Sequence, residues 1–186
     1  MIHELKAIIK QAIINQQKGI KSVLASVVFL NGSSYRKPGV RMLISENSNI
    51  IGAVSGGCVE KEIILRSKSI FKTNKAKVIT YDGRYRLGCE GVLYILIEPF
   101  FISNKLNVSF SNAIEKRESI TINSHFKKED EATGNFGSLI SFLNGDRFSF
   151  QIESTSIFFS DSAIFNQVLK PTLRLIIIGG EHDAVK

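Results

Sequence analysis

The apolar positions of the chain follow two rhythms. Leu5, Ile8, Ile9, Ala12 and Ile13 recur at intervals of three and four, which predicts an amphipathic helix with Gly19 as its C-cap. The run Ser22–Leu30, SVLASVVFL, is apolar at odd and even positions alike. That pattern predicts an interior strand of a sheet covered by helices. Two shorter strands follow, Val40–Ser45 and Ile50–Val54, separated by the polar turn Glu46-Asn47-Ser48-Asn49. Val59, Ile63, Ser67, Ile70 and Phe71 restore the helical spacing from Gly57 to about Lys72, and Ser55 is a natural N-cap. Ala76–Tyr81 and Val92–Glu98 read as two more strands.

Beyond Phe100 the segments shorten. Ser103–Ser111 is polar and reads as a connection; 119–126, 137–143, 147–152 and 155–159 read as short strands. Asn144-Gly145 is a hairpin signal, and Lys127–Asn135, KKEDEATGN, reads as a mobile charged loop. After Pro171 comes an apolar strand, Leu173–Ile178, followed by Gly179-Gly180. Such a strand needs a partner, so it is expected to pack alone on the domain, to be poorly ordered, or to pair with another chain. A strand entering a glycine turn is how a dinucleotide-binding unit begins. Here Glu181 stands where the second glycine would sit, and its charge would repel a pyrophosphate. The expected fold class is therefore α/β or α+β: a mixed sheet flanked by helices, a small β-rich extension and a truncated Rossmann stub. The expected divisions are 1–102, then 103–170 as an extension of the same domain, then 171–186 as the stub.

Composition narrows the function classes. With 44% hydrophobic and 22% charged residues, the 186-residue chain can bury a core. No apolar run reaches the ~20 residues of a membrane span, and the N-terminal helix carries internal polar residues that a signal peptide lacks. Two cysteines outside any CxxC spacing form neither a disulfide framework nor a zinc knuckle. A cytoplasmic protein without membrane association is expected. The net charge of +7 favours anionic partners. Lysines between Lys61 and Lys77 admit nucleic acid, but the chain has no Trp and no helix-turn-helix or aromatic-basic pattern. A small phosphorylated ligand fits the local cluster of Arg36, Lys37 and Arg41 better.

The candidate chemistry gathers in two glycine-rich stretches. In the first, Gly32–Glu60, a serine-glycine loop carries Ser34, Arg36 and Lys37 and is shaped by Pro38. It ends on Ser55-Gly56-Gly57-Cys58, where free N–H groups would converge at the positive end of a helix. Cys58 there is either a thiol of lowered pKa or a small buried hydrophobe. The second stretch, Asp82–Gly91, places Cys89 between Gly88 and Glu90-Gly91 beside Arg84 and Arg86, a setting that favours a reactive thiolate. His125 stands alone, and no metal spacing such as HExxH, catalytic triad or carboxylate pair occurs.

The segments GSSYRKPGVRM, SGGCVEKE and LGCEG, in that order and followed by IIIGGEHDA, resemble the XdhC/CoxI family of molybdenum hydroxylase accessory proteins. The likeness runs from Ser22 to about Pro99 and returns at the last strand. It implies a maturation factor, not an enzyme, that binds the molybdenum cofactor (molybdopterin) and helps deliver it to a xanthine-dehydrogenase-like molybdenum hydroxylase. The cofactor-binding residues it implies are Ser34, Arg36, Lys37, Arg41, Ser55, Gly56, Gly57, Cys58, Gly88 and Cys89, with Cys89 facing the metal. It further implies that 1–102 is the family domain and that the chain is its N-terminal part, cut just inside a Rossmann domain. NAD(P) is not expected to bind this fragment, and a homodimer is compatible with the likeness. Two rival readings are an NAD(P)-dependent oxidoreductase lacking its nucleotide-binding half, and an interaction module without a small-molecule ligand.

Overall fold

A computed structural model describes residues 2–55, 57–84, 91–151 and 162–176. Helix α1 spans Ile2–Gln17 and is followed by β1 (Ser22–Asn31), β2 (Arg41–Ser45) and β3 (Ile50–Gly52). Helix α2 (Cys58–Thr73) precedes β4 (Ala76–Asp82) and β5 (Val92–Pro99). The remainder holds α3 (Asn104–Glu115), β6 (Ile120–Phe126), the two-residue β7 (Thr133–Gly134), β8 (Gly137–Ser141), β9 (Arg147–Ser149) and β10 (Ala163–Leu169). The first sheet has the order β3-β2-β1-β5-β4-β7 and the second the order β10-β6-β8-β9.

The α/β class holds. Within it the pairing is antiparallel in every described ladder, not mixed. The reason is topological: α2 carries the chain from edge strand β3 to β4, and β5 then returns between β4 and β1.

Strand β1 is buried on both faces, as its composition requires. Its Val23, Ala25 and Val27 meet Val59, Ile63 and Ile70 of α2. On the other face Leu24 joins Leu5, Ile8 and Ile9 of α1, together with Ile120, Ile122 and Ile140 of the second sheet. Asn15, buried in α1, donates to Ser22 Oγ (2.9 Å) and Ser45 Oγ (2.7 Å) and so ties the helix to β1 and β2.

Three expectations change. Residues 103–111 are helical, not a connection: Ser103 caps α3 by accepting from Leu106 N, and Leu106, Phe110 and Ala113 form its buried stripe. The charged segment 127–135 is anchored, because Glu131 pairs with Arg66 and Lys77, and Asp130 accepts from Thr80 N (2.7 Å). Residues 171–176 form no strand and have no ladder partner among the described residues; Thr172 O accepts from Arg117 Nη2 (2.7 Å), and Leu173 is fully exposed. Residues 177–186, including Gly179-Gly180 and Glu181, and the expected strand 155–159 lie outside the described residues.

Candidate ligand site at one end of the first sheet

Antiparallel order sends the exits of β1, β3 and β4 to one end of the first sheet. Three connections leave there: 32–40, 53–57 and 83–91. They are the segments singled out for their glycine, charge and thiol content. Loop 32–40 is central, because it joins the paired strands β1 and β2. The other two follow strands four places apart, a spacing of roughly 19 Å at ~4.8 Å per strand. The stretches that lead to Cys58 and to Cys89 therefore leave strands that are not neighbours.

Gly91, just before β5, nevertheless meets the start of the central loop. Gly91 lies so close to it that a Cβ there would stand 2.6 Å from Ser33 O and 2.9 Å from Asn31 O. Only glycine permits that approach. Asp82 and Arg84 pair at the start of loop 83–91 (2.6 Å), so Arg84 is engaged by a carboxylate, and the pair holds Asp82 below the usual carboxylate range. Gly88 and Cys89 lie outside the described residues, as do Gly56 and the side chain of Cys58.

The helix terminus carries its own anion. The N-cap of α2 is Gly57, not Ser55. Glu60 Oε1 accepts from Val54 N (3.2 Å) and Ser55 N (2.6 Å), and Oε2 from Gly57 N (2.6 Å). Two backbone donors of the stretch expected to face a ligand, Ser55 N and Gly57 N, and that of Val54 before it thus face a buried carboxylate of the same chain, whose charge suits the positive end of the helix. The clue was in the sequence, since an acidic residue three places after the cap is the capping-box pattern.

Arg41 also departs from expectation. It is 8% exposed and opens β2 instead of facing solvent. Its Nη1 donates to Gly39 O (3.0 Å) and to Gln167 Oε1 (2.5 Å) of β10. Burial lowers its pKa to about 10, against the opposing pull of Glu98 and Glu4. Gly39 has φ +101°, and a Cβ there would collide with the Gln167 amide. Glu98 in β5 is fully buried and accepts from Ser138 N (2.8 Å) and Ser138 Oγ (2.6 Å). Burial raises its pKa to about 7, outweighing those bonds and the pull of Arg41. No property of the sequence marked Ser138 or Gln167; a lone carboxylate at the end of the apolar run VLYILIE was the visible signal for Glu98.

Ser34 and Arg36 are half-buried in the central loop, and Lys37 is exposed. His125 makes one 3.4 Å contact from Nδ1 to Ser162 Oγ, and burial lowers its pKa. Among the described residues no cluster of three His, Cys, Asp or Glu could hold a metal ion, and no helix is long and apolar enough to cross a membrane.

Comparison with known proteins agrees with the sequence motifs. Residues 16–82 match the XdhC and CoxI family. A probable xanthine dehydrogenase subunit of Bacillus subtilis (strain 168) is 34% identical over 86 residues, covering 42% of this chain and 26% of the relative. A crystal structure of a xanthine dehydrogenase from Bacillus halodurans superposes with a TM-score of 0.62 at 19% identity. That match covers 88% of this chain and 53% of the other, and it establishes likeness of fold. The chain spans about a quarter of the first relative and about half of the second.

Proposed function

We propose, from the match of residues 16–82 to the XdhC and CoxI family, that the chain is an accessory factor for a xanthine-dehydrogenase-like molybdenum hydroxylase. In this reading it binds the molybdenum cofactor in the cytoplasm and hands it to the target enzyme. The observation that carries the proposal is the meeting of loop 32–40 with Gly91, which follows Cys89 by two positions in the sequence. Arg36 and Lys37 would hold the anionic part of the cofactor, and Cys89 would offer a soft sulfur ligand to its metal. When bound, the cofactor would supply the hydroxylation chemistry of the target enzyme; this chain would supply binding and orientation.

The residues suit such a group. Buried donors without acceptors lie at loop 32–40, as an anionic ligand requires. The α2 terminus does not suit it, because Glu60 already occupies the backbone donors of Val54, Ser55 and Gly57. The role proposed for Ser55, Gly56, Gly57 and Cys58 is accordingly to shape one wall of the site.

The test is incubation with molybdenum cofactor, gel filtration, and assay of molybdenum and pterin retained per chain. Near-stoichiometric retention is expected, with loss in Cys89→Ala at unchanged melting temperature. Full retention by Cys89→Ala would remove the thiol from the site, and no retention by the unmodified chain would remove the cofactor reading.

A further inference from the structure

Four buried side-chain nitrogen and oxygen atoms lack a hydrogen-bond partner among the described residues: Ser26 Oγ, Arg36 Nε, Arg41 Nε and Arg41 Nη2. Buried polar groups are normally paired, so a cluster of exceptions calls for a cause. Each of the four can donate, and the guanidinium nitrogens can do nothing else.

Ser26 and Arg41 are neighbours by the strand register, and Arg36 lies in the loop between their strands. Ser26 stands directly opposite Arg41 in the β1–β2 ladder, so both side chains leave the same face of the sheet. Arg36 belongs to the loop that leads straight into Arg41. The Glu4 carboxylate lies within electrostatic reach of both arginines. The remaining nitrogen of Arg41, Nη1, is fixed by Gly39 and Gln167, which orients the guanidinium and leaves its other two donors to a different acceptor. Glu98 attracts Arg41 electrostatically but is not that acceptor, because neither Nε nor Nη2 of Arg41 bonds it.

We infer that Ser26, Arg36 and Arg41 form a receptor for a single oxyanion of the phosphate class, approached from loop 32–40. A tetrahedral oxyanion offers several acceptor oxygens to donors arriving from different directions. Two guanidinium charges match its dianionic form. Half-buried Arg36 is the solvent-side member, and nearly enclosed Arg41 is the inner one. Glu4 is the built-in competitor, since its charge partly offsets that of the arginines. Free phosphate and the phosphate monoester of a larger ligand present the same chemistry. Naming the molybdenum cofactor as that larger ligand rests on the function proposed above; the receptor does not.

Inorganic phosphate is the probe, titrated into the chain by calorimetry at low ionic strength and pH 7. Saturable binding is expected, weakened at least tenfold in Ser26→Ala and in Arg36→Gln and strengthened severalfold in Glu4→Gln. Arg41→Lys sits in the core and can fail to fold, so the decision rests on the other three variants, each checked for an unchanged melting temperature. Absence of saturable binding, or binding equal in Ser26→Ala, Arg36→Gln and the unmodified chain, overturns the receptor and marks any residual signal as an adventitious ion only. A parallel retention assay with molybdenum cofactor separates the two readings. Phosphate binding that depends on Ser26 and Arg36, with no cofactor retained, upholds the receptor and defeats the cofactor reading. Cofactor retention indifferent to both residues, with no phosphate bound, does the reverse.

Discussion

Glu98 of the first sheet and Ser138 of the second are joined by two hydrogen bonds, both oxygens of one carboxylate accepting from the amide and hydroxyl of one serine. When Glu98 is ionised the Ser138 proton points to it, and Ser124 Oγ then donates to Ser138 across 2.7 Å. A carboxylate thus organises the polar part of an otherwise apolar layer between the sheets.

That carboxylate gives stability a pH dependence. Glu98 titrates at about 7 in the folded chain against 4.5 when unfolded, so the folded state holds its proton over that window. Stability from this group is full below pH 4.5 and is lost as pH rises through 7, by up to about 3 kcal/mol at ~1.4 kcal/mol per pH unit. His125, whose pKa burial lowers, acts in the opposite sense and adds stability as pH rises toward 6.5. Urea midpoints from pH 4.5 to 8 should fall in the unmodified chain, and the fall should vanish in Glu98→Gln. A slope unchanged by that substitution would show that Glu98 titrates normally.

Gln167 should hold the central loop. Its amide accepts from Arg41 and contacts Gly39 O, so Gln167→Ala leaves a buried guanidinium nitrogen with one partner fewer, at a cost of about 1–3 kcal/mol. Trypsin reports the loop directly: it can cut after Arg36, whereas Pro38 protects the bond after Lys37. Faster cutting after Arg36 is expected in Gln167→Ala, and Gln167→Glu should restore protection by keeping the acceptor. Equal cutting rates in all three chains would count against this link.

Removing the internal anion at α2 should have two effects. Glu60→Ala strips the acceptor from three backbone donors and should destabilise the chain by roughly 2–3 kcal/mol, with Glu60→Gln milder. It also frees a helix terminus for external anions. Added sulfate should therefore raise the melting temperature of Glu60→Ala more than that of the unmodified chain. An equal response in both would mean that the terminus is not an anion site even when vacated.

For α3, Ser103→Ala removes the side-chain cap on Leu106 N and should cost about 1 kcal/mol. Leu106→Ala empties a fully buried position and should cost about 2–5 kcal/mol. Denaturant unfolding of the two variants checks both values. A Ser103→Ala variant as damaged as Leu106→Ala would mean that the hydroxyl has a role beyond capping.

Local patterning determined much of this protein. The stripe from Leu5 to Ile13, the doubly buried β1, the strands at Ala76 and Val92, and the Asn144-Gly145 turn were legible because each depends on residues close in sequence. The motif segments around Arg36 and Gly57 were legible for the same reason. Helix α3 was harder to read, since Asn, Ser and Val are indifferent helix formers and its evidence is one cap and a three-residue stripe. Strand β10 was missed because AIFNQVL carries apolar and polar side chains on both faces, which erases the period-two signal. What only the tertiary structure decided is which charges are taken. Arg41 looks like an exposed charge in sequence, and β10 buries it and fixes its Nη1 from 126 positions away, leaving Nε and Nη2 unpaired. The backbone donors that lead into α2 look free, and the folding back of Glu60 fills those of Val54, Ser55 and Gly57. Whether a charged group is exposed, paired or orphaned is set by the dielectric and the partners around it, and those are assembled from strands remote in sequence.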